Sequence, residues 1–360
     1  MRKIIIILTS IFVSCILMSQ IIFYSNRLIE SQESYDYYLY FSQTMDHYLP
    51  TGRVIGVGSK NKIIKKTSGL ELGRLSQDSN NNLHFSDRYN DYIYYPVGNK
   101  VLQINRETKE HTGVNNLTIN GNPLHIFNHG FAEDGSYETN FYFKNSKFIM
   151  KEWIFSTTSN ENYVFSIGER GGLVNELYLT SYQVSNNAIQ IYQTHKICNS
   201  EEYFFPSDMV ANEDFIYAMA FEGEEFLPTI FTYSLNTNET NFHKIPKEIK
   251  LEDSPPSCSN NLQLYEGNLV YFSGNGNIYY INAETFEIIE VIKSEINLTG
   301  VFLVSESETN KVAIVSYDEN YDLIISTFDL ESKTFTFEKQ ITSTMWGYQE
   351  HLYDFEVRKK

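Results

Sequence analysis

The stretch Ile278-Tyr279-Tyr280-Ile281-Asn282, running into Ala283-Glu284-Thr285-Phe286-Glu287, is an apolar and aromatic run that ends in asparagine and a polar bend. The same figure returns in Val101-Leu102-Gln103-Ile104-Asn105 before Arg106-Glu107-Thr108, and in Ile325-Ser326-Thr327-Phe328-Asp329 before Leu330-Glu331-Ser332. β-Branched and aromatic residues favour extended chain, and Asn or Asp favours a bend because its side chain bonds the backbone just beyond it. Fainter copies fall at Asn61, Asn145, Ser185 and Asn236, so the steps from Asn61 to Asp329 are 44, 40, 40, 51, 46 and 47 residues. A four-stranded unit at that period predicts an all-β fold, a seven-bladed β-propeller. One blade cannot bury both of its faces, so the units must stack on one another.

The unit from Asn261 shows the grammar most fully. Leu262-Gln263-Leu264 is an inner strand, Tyr265-Glu266-Gly267-Asn268 a tight turn and Leu269-Val270-Tyr271-Phe272 the second strand. Ser273-Gly274-Asn275-Gly276-Asn277 is a hairpin whose glycines permit positive φ. The unit opening at Pro206 repeats the order with Met209-Val210-Ala211, Asn212-Glu213-Asp214 and Phe215-Ile216-Tyr217-Ala218. This pattern resembles the YVTN-type, lactonase-like β-propellers of bacteria over about residues 51–345. The resemblance implies the fold and brings little chemistry with it.

The chain divides into a membrane anchor or signal segment at 1–24, a tether and first strand at 25–50, the propeller at 51–345 and a terminal strand at 346–360. The first unit is short by one strand, because 53–57, 62–66 and 70–75 supply only three. Either Tyr37–Ser42 or the terminal Leu352–Val357 can fill the gap and close the ring, hiding two sheet edges.

Met1-Arg2-Lys3 precedes 21 uncharged residues, Ile4 to Tyr24, long enough to span a bilayer as a transmembrane helix. The basic flank keeps the N-terminus cytoplasmic and sends the rest across. Three fates fit: an uncleaved signal anchor, a lipoprotein acylated at Cys15 in Phe12-Val13-Ser14-Cys15, or a cleaved signal peptide. Each predicts a domain at the cell membrane but outside the cytoplasm.

The net charge of −17 and pI near 4.9 repel phosphate backbones, which excludes nucleic acid as a partner. Three cysteines are too few for a disulfide framework. Tyr and Phe number 27 and 25, a supply of rings suited to packing between twisted sheets.

Candidate site residues sit on the hairpins expected at one rim: Glu133 and Asp134; Glu169 and Arg170; Glu222, Glu224 and Glu225; Asp318 and Asp322. Val97-Gly98-Asn99 and Gly274-Asn275-Gly276 are the short hairpins of the same set. Loops carry function more often than scaffold strands do. Asp318-x-Asn320-x-Asp322 has the first half of a calcium loop, but Leu323 stands where that loop needs glycine. His125 and His129 share a strand face about 13 Å apart, too far for one metal ion. No G-x-S-x-G elbow or H-E-x-x-H helix occurs. These features predict a non-enzymatic binding module, without a resident cofactor, that presents an acidic rim to a protein, glycan or cation. The alternative is a metal-assisted, lactonase-like hydrolase that uses a divalent cation in the central channel.

Overall fold

A computed structural model describes residues 35–359 except 145, 161–162, 171–174, 186–187, 206–208, 247–248, 250–259, 275, 295, 297–301 and 306–309. The candidate anchor and Cys15 therefore lie outside the described residues, as does Cys258; Cys198 is a buried free thiol whose pKa burial pushes up to about 12. Among the described residues no helix is long and apolar enough to cross a membrane.

Seven antiparallel sheets form the blades: 35–67 with 351–357, then 75–105, 112–150, 153–199, 203–244, 262–293 and 302–341. Blade 1 takes a strand from each end of the chain. Its order is His351–Val357, Tyr35–Ser42, Gly52–Gly58 and Lys62–Thr67, with Leu39 facing Phe355 and Tyr38 facing Glu356. Both stretches offered for the gap are used, because 70–75 is not a strand of blade 1 but leads into the inner strand of blade 2, Leu75–Gln77. The propeller thus runs from Tyr35 to Val357 and is wider at both ends than 51–345.

Strand direction alternates from the channel outward. The hairpin between the second and third strands therefore shares a rim, the upper one, with the connection to the next blade. The other two hairpins lie on the lower rim. Asn61, Asn236, Asn282 and Asp329 mark lower hairpins, whereas Asn105 ends the outer strand of blade 2 on the upper rim. The reason is local. Asn282 Oδ1 accepts the N–H groups of Glu284 and Thr285, and Asp329 Oδ1 those of Glu331 and Ser332. Blade 2 instead turns its lower hairpin on Gly98 and Asn99, with φ of 89° and 50°, and has no such bend to find. Val97-Gly98-Asn99 accordingly leaves the upper set, and residues 87–89 take its place.

Apolar side chains fill the spaces between blades. Leu39, Ile55, Val315 and Ile325 meet between blades 1 and 7, and Met219, Ile230, Leu269 and Tyr271 between blades 5 and 6. Each such side chain contributes about 1.5–3 kcal/mol through burial. Blade 2 instead meets its neighbours, blades 1 and 3, through buried polar groups. Asp87 is buried and accepts from the N–H groups of Ser68, Tyr89 and Asn90 and from the Tyr92 hydroxyl. Arg106 donates to Asp91 and to the Asp87 carbonyl, and its guanidinium lies 4.5 Å from the Phe127 ring centre.

Candidate functional site

Three buried glutamates fix the upper rim from beneath. Glu110, Glu152 and Glu350 stand one or two residues before the inner strands of blades 3, 4 and 1. Glu110 accepts from Asn140 Nδ2 at 3.0 Å and from the Tyr142 hydroxyl, and lies 3.2 Å from His129 Nδ1. Glu152 pairs with Arg170, although burial still raises its carboxyl pKa above the ordinary value. Glu350 lies 2.6 Å from Arg53 Nε and accepts the Gly347 N–H at 2.8 Å. Each ties the entry of an inner strand to a strand farther out in its own blade. The sequence carries the sign as Lys109-Glu110-His111, Lys151-Glu152-Trp153 and Gln349-Glu350-His351, a glutamate at strand entry that lies apart from the repeated turn motif.

Above them, the upper hairpins of blades 3, 6 and 7 share one turn, and the shorter one of blade 5 closes with the same bond. In each, the fourth residue donates its N–H to the carbonyl of the first and adopts positive φ: Gly135 to Ala132, Phe226 to Gly223, Gly276 to Ser273 and Tyr321 to Asp318. Glycine occupies the strained position in two blades. Phe226, with φ of 47°, and Tyr321, with φ of 62°, occupy it in the others and are 47% and 76% exposed. An L-residue in that conformation costs roughly 1–2 kcal/mol, and a ring left largely in water recovers little of it by burial. Tyr48, Phe131 and Tyr348 extend the exposed aromatic set on this rim, at 95%, 78% and 84% exposure.

The acidic candidates are held differently. Asp134 pairs with Lys151, whose ammonium is the first cause holding its carboxyl well below the usual range. Glu222 lies 2.7 Å from Lys244. Asp318 accepts the N–H groups of Asn320 and Asp322, so the half calcium loop folds as a turn that bonds itself. Gln340 donates to both Asp318 and Asp322. Glu169 and Arg170 end a strand rather than sit on a hairpin tip, and burial raises the Glu169 pKa. Glu133, Glu224 and Glu225 are exposed on their hairpins. These groups share a rim but come together only within single hairpins.

The channel brings Arg74, Asn115, Asp354 and Ser305 around a space of about 70 Å³. Asp354 accepts the Leu75 N–H at 2.7 Å, Arg74 Nε donates to the Val114 carbonyl, and Asn116 Nδ2 donates to the Arg74 carbonyl. These bonds join neighbouring inner strands. Between blades 2 and 3, Ser86 lies 3.3 Å from His125 Nδ1 but donates its proton to Asp91 at 2.6 Å. The Ser86 proton is thus directed at the Asp91 carboxylate rather than at the imidazole. His125 is buried, bonds Asn116 at 2.9 Å, and has its pKa lowered to about 4 by desolvation. Among the described residues no three His, Cys, Asp or Glu side chains converge as a metal site.

The YycP beta-propeller domain matches residues 33–358. The chain belongs to that family. No curated protein matches the sequence of this YycP-family propeller. Its fold is similar to a puromycin-hydrolyzing peptidase of Mycobacterium tuberculosis, at 9% identity and a TM-score of 0.55, over 85% of this chain and 53% of that one. Apo AztD from Citrobacter koseri aligns at 10% identity and a TM-score of 0.46, covering 91% of this chain and 100% of the other. BamB from Moraxella catarrhalis aligns at 9% and 0.46, covering 84% and 82%. At these identities the likeness concerns the bacterial β-propeller fold alone.

Proposed function

We propose that this propeller is a non-enzymatic interaction module, held at the cell membrane by its N-terminal segment, that docks a partner protein on the upper rim. The observation that carries the reading is the placing of Phe226 and Tyr321 where sibling hairpins use glycine. Strain kept at a solvent-facing aromatic is a mark of use rather than of folding. Exposed Tyr and Phe also supply the rigid contact area that protein interfaces favour. The acidic hairpins form the polar surround of the patch rather than its centre. The apolar run Ile4 to Tyr24 supports export, with membrane insertion or acylation at Cys15 as the means of attachment.

Photo-crosslinking side chains placed at 48 and 321 in the native host should yield a discrete protein adduct. The same probe at Val97, exposed on the lower rim, should yield none. Equal labelling from both rims, or none from the upper one, defeats the proposal. Protease digestion of intact protoplasts tests the location, since a domain outside the cytoplasm is cleaved while the cell remains closed.

A further inference from the structure

The opposite rim carries a cleft with aromatic walls. Between the lower ends of blades 5 and 6 opens a cleft of about 670 Å³, within the range of small-molecule pockets. Phe215 and Tyr217 wall it from blade 5, and Tyr265 and Phe286 from blade 6. His243 stacks on Phe286 with ring centres 3.7 Å apart and planes 14° apart, and donates to or accepts from Thr232 at 3.1 Å. Burial lowers the His243 pKa, so the ring is uncharged at neutral pH.

Two residues of this cleft hold the strained backbone. Phe286 has φ of 59° at the position filled by Asn238 in the equivalent hairpin of blade 5 and by Lys333 in that of blade 7. Glu266 has φ of 47° in a tight turn that asparagine or glycine would make with less strain. Asp214 and Glu284 join Glu266 at the mouth, and no lysine or arginine is among the described lining residues. Asp214 is oriented by Asn236, which donates to it at 2.9 Å.

We propose that this cleft binds an organic cation, an ammonium group carried on an apolar or aromatic body. Ring faces attract a cation through their quadrupole, carboxylates at the mouth set its sign, and the size of the space calls for more than a bare ammonium. An anion meets three carboxylates and no counter-charge there. A neutral apolar ligand gains the ring contacts but not the charge. A free amine and a lipid headgroup ammonium present the same chemistry. Because the cleft and the aromatic tips lie on opposite rims, failure of one reading leaves the other standing.

Calorimetric titration of the full-length protein with 2-phenylethylammonium, beside uncharged 2-phenylethanol, tests the assignment. The cation should bind at least about 5-fold more tightly. Phe286→Asn keeps a residue suited to the turn and should weaken cation binding about 5-fold or more, with the unfolding midpoint read alongside to show that the variant is folded. Glu284→Gln, on an exposed side chain, should also weaken the cation and leave the alcohol unaffected. Vesicles containing phosphatidylethanolamine, run alongside, assign the source: capture of vesicles alone points to a lipid headgroup, and capture of the free amine alone to a soluble ligand. The proposal is overturned if neither the amine nor the vesicles bind, if alcohol and amine bind equally, or if Phe286→Asn binds as the parent does.

Discussion

Arg53→Met should rank among the most damaging single substitutions in this protein. The Glu350 carboxylate is fully buried, with Arg53 Nε at 2.6 Å, Arg53 Nη2 donating at 3.1 Å, Thr51 Oγ1 at 3.1 Å and the Gly347 N–H at 2.8 Å. Methionine keeps most of the volume of the arginine stem and removes its charge. The carboxylate is then left inside with two neutral donors, at a cost of about 3–5 kcal/mol. That is a large share of a typical stability of roughly 5–15 kcal/mol. Glu350→Gln should cost less, about 1–3 kcal/mol, because the Arg53 side chain is partly exposed and can turn toward water. The double variant Arg53→Met/Glu350→Gln removes both charges and should recover most of the loss. Equilibrium urea unfolding is the assay. Trp346 stacks on Phe41 with ring centres 4.9 Å apart, so its fluorescence reports on the closure of the ring. If Arg53→Met loses less than about 1 kcal/mol, or the double variant falls by the sum of the singles, the pair does not act as a coupled buried unit and the reasoning fails.

Tyr321→Gly should raise stability by about 0.5–1 kcal/mol, the strain relieved less the extra freedom of glycine in the unfolded chain, while partner capture is lost. A higher urea midpoint with weaker crosslinking at the upper rim is the expected pair of results. Stability should fall as pH drops from about 6.5 toward 4, because buried His125, with its pKa lowered to about 4, stays neutral while the unfolded chain takes up a proton. His125→Gln should flatten the slope in that window relative to the parent in parallel unfolding series, with a full contribution of about 3 kcal/mol. Gly113→Ala would set a methyl carbon 2.3 Å from the Leu72 carbonyl oxygen, between blades 2 and 3, and should destabilise by about 1–3 kcal/mol in the same assay.

The ring was legible because turn chemistry repeats. Asn282 and Asp329 use one side-chain oxygen in the same way, and the alternation of apolar residues around them has one structural meaning. Blade 2 misled the reading at Asn105, since its real lower hairpin uses positive φ at Gly98 and Asn99 and carries no bend of the repeated kind. The acidic site residues could be named but not judged. Whether Asp318 faces a ligand or bonds its own backbone depends on a few degrees of turn geometry. Exposed and buried aromatics look alike in composition, so Tyr321 stood out only against Gly135 and Gly276 in matching turns. The cleft needs His243 and Phe286, 43 positions apart by number, to meet across two blades, and no local pattern announces that.

The antiparallel seal between Tyr35–Ser42 and His351–Val357 also sets the rim at which the chain enters and leaves the ring. Tyr37 lies opposite Val357, so the chain enters its first strand and leaves its last one on the same underside. With Ile4 to Tyr24 lodged in the bilayer as proposed, the ten residues 25–34 can extend at most about 35 Å. The disc would then hang with its underside, and the opening between blades 5 and 6, turned toward the lipid, while Tyr48 and Tyr321 look outward to whatever passes.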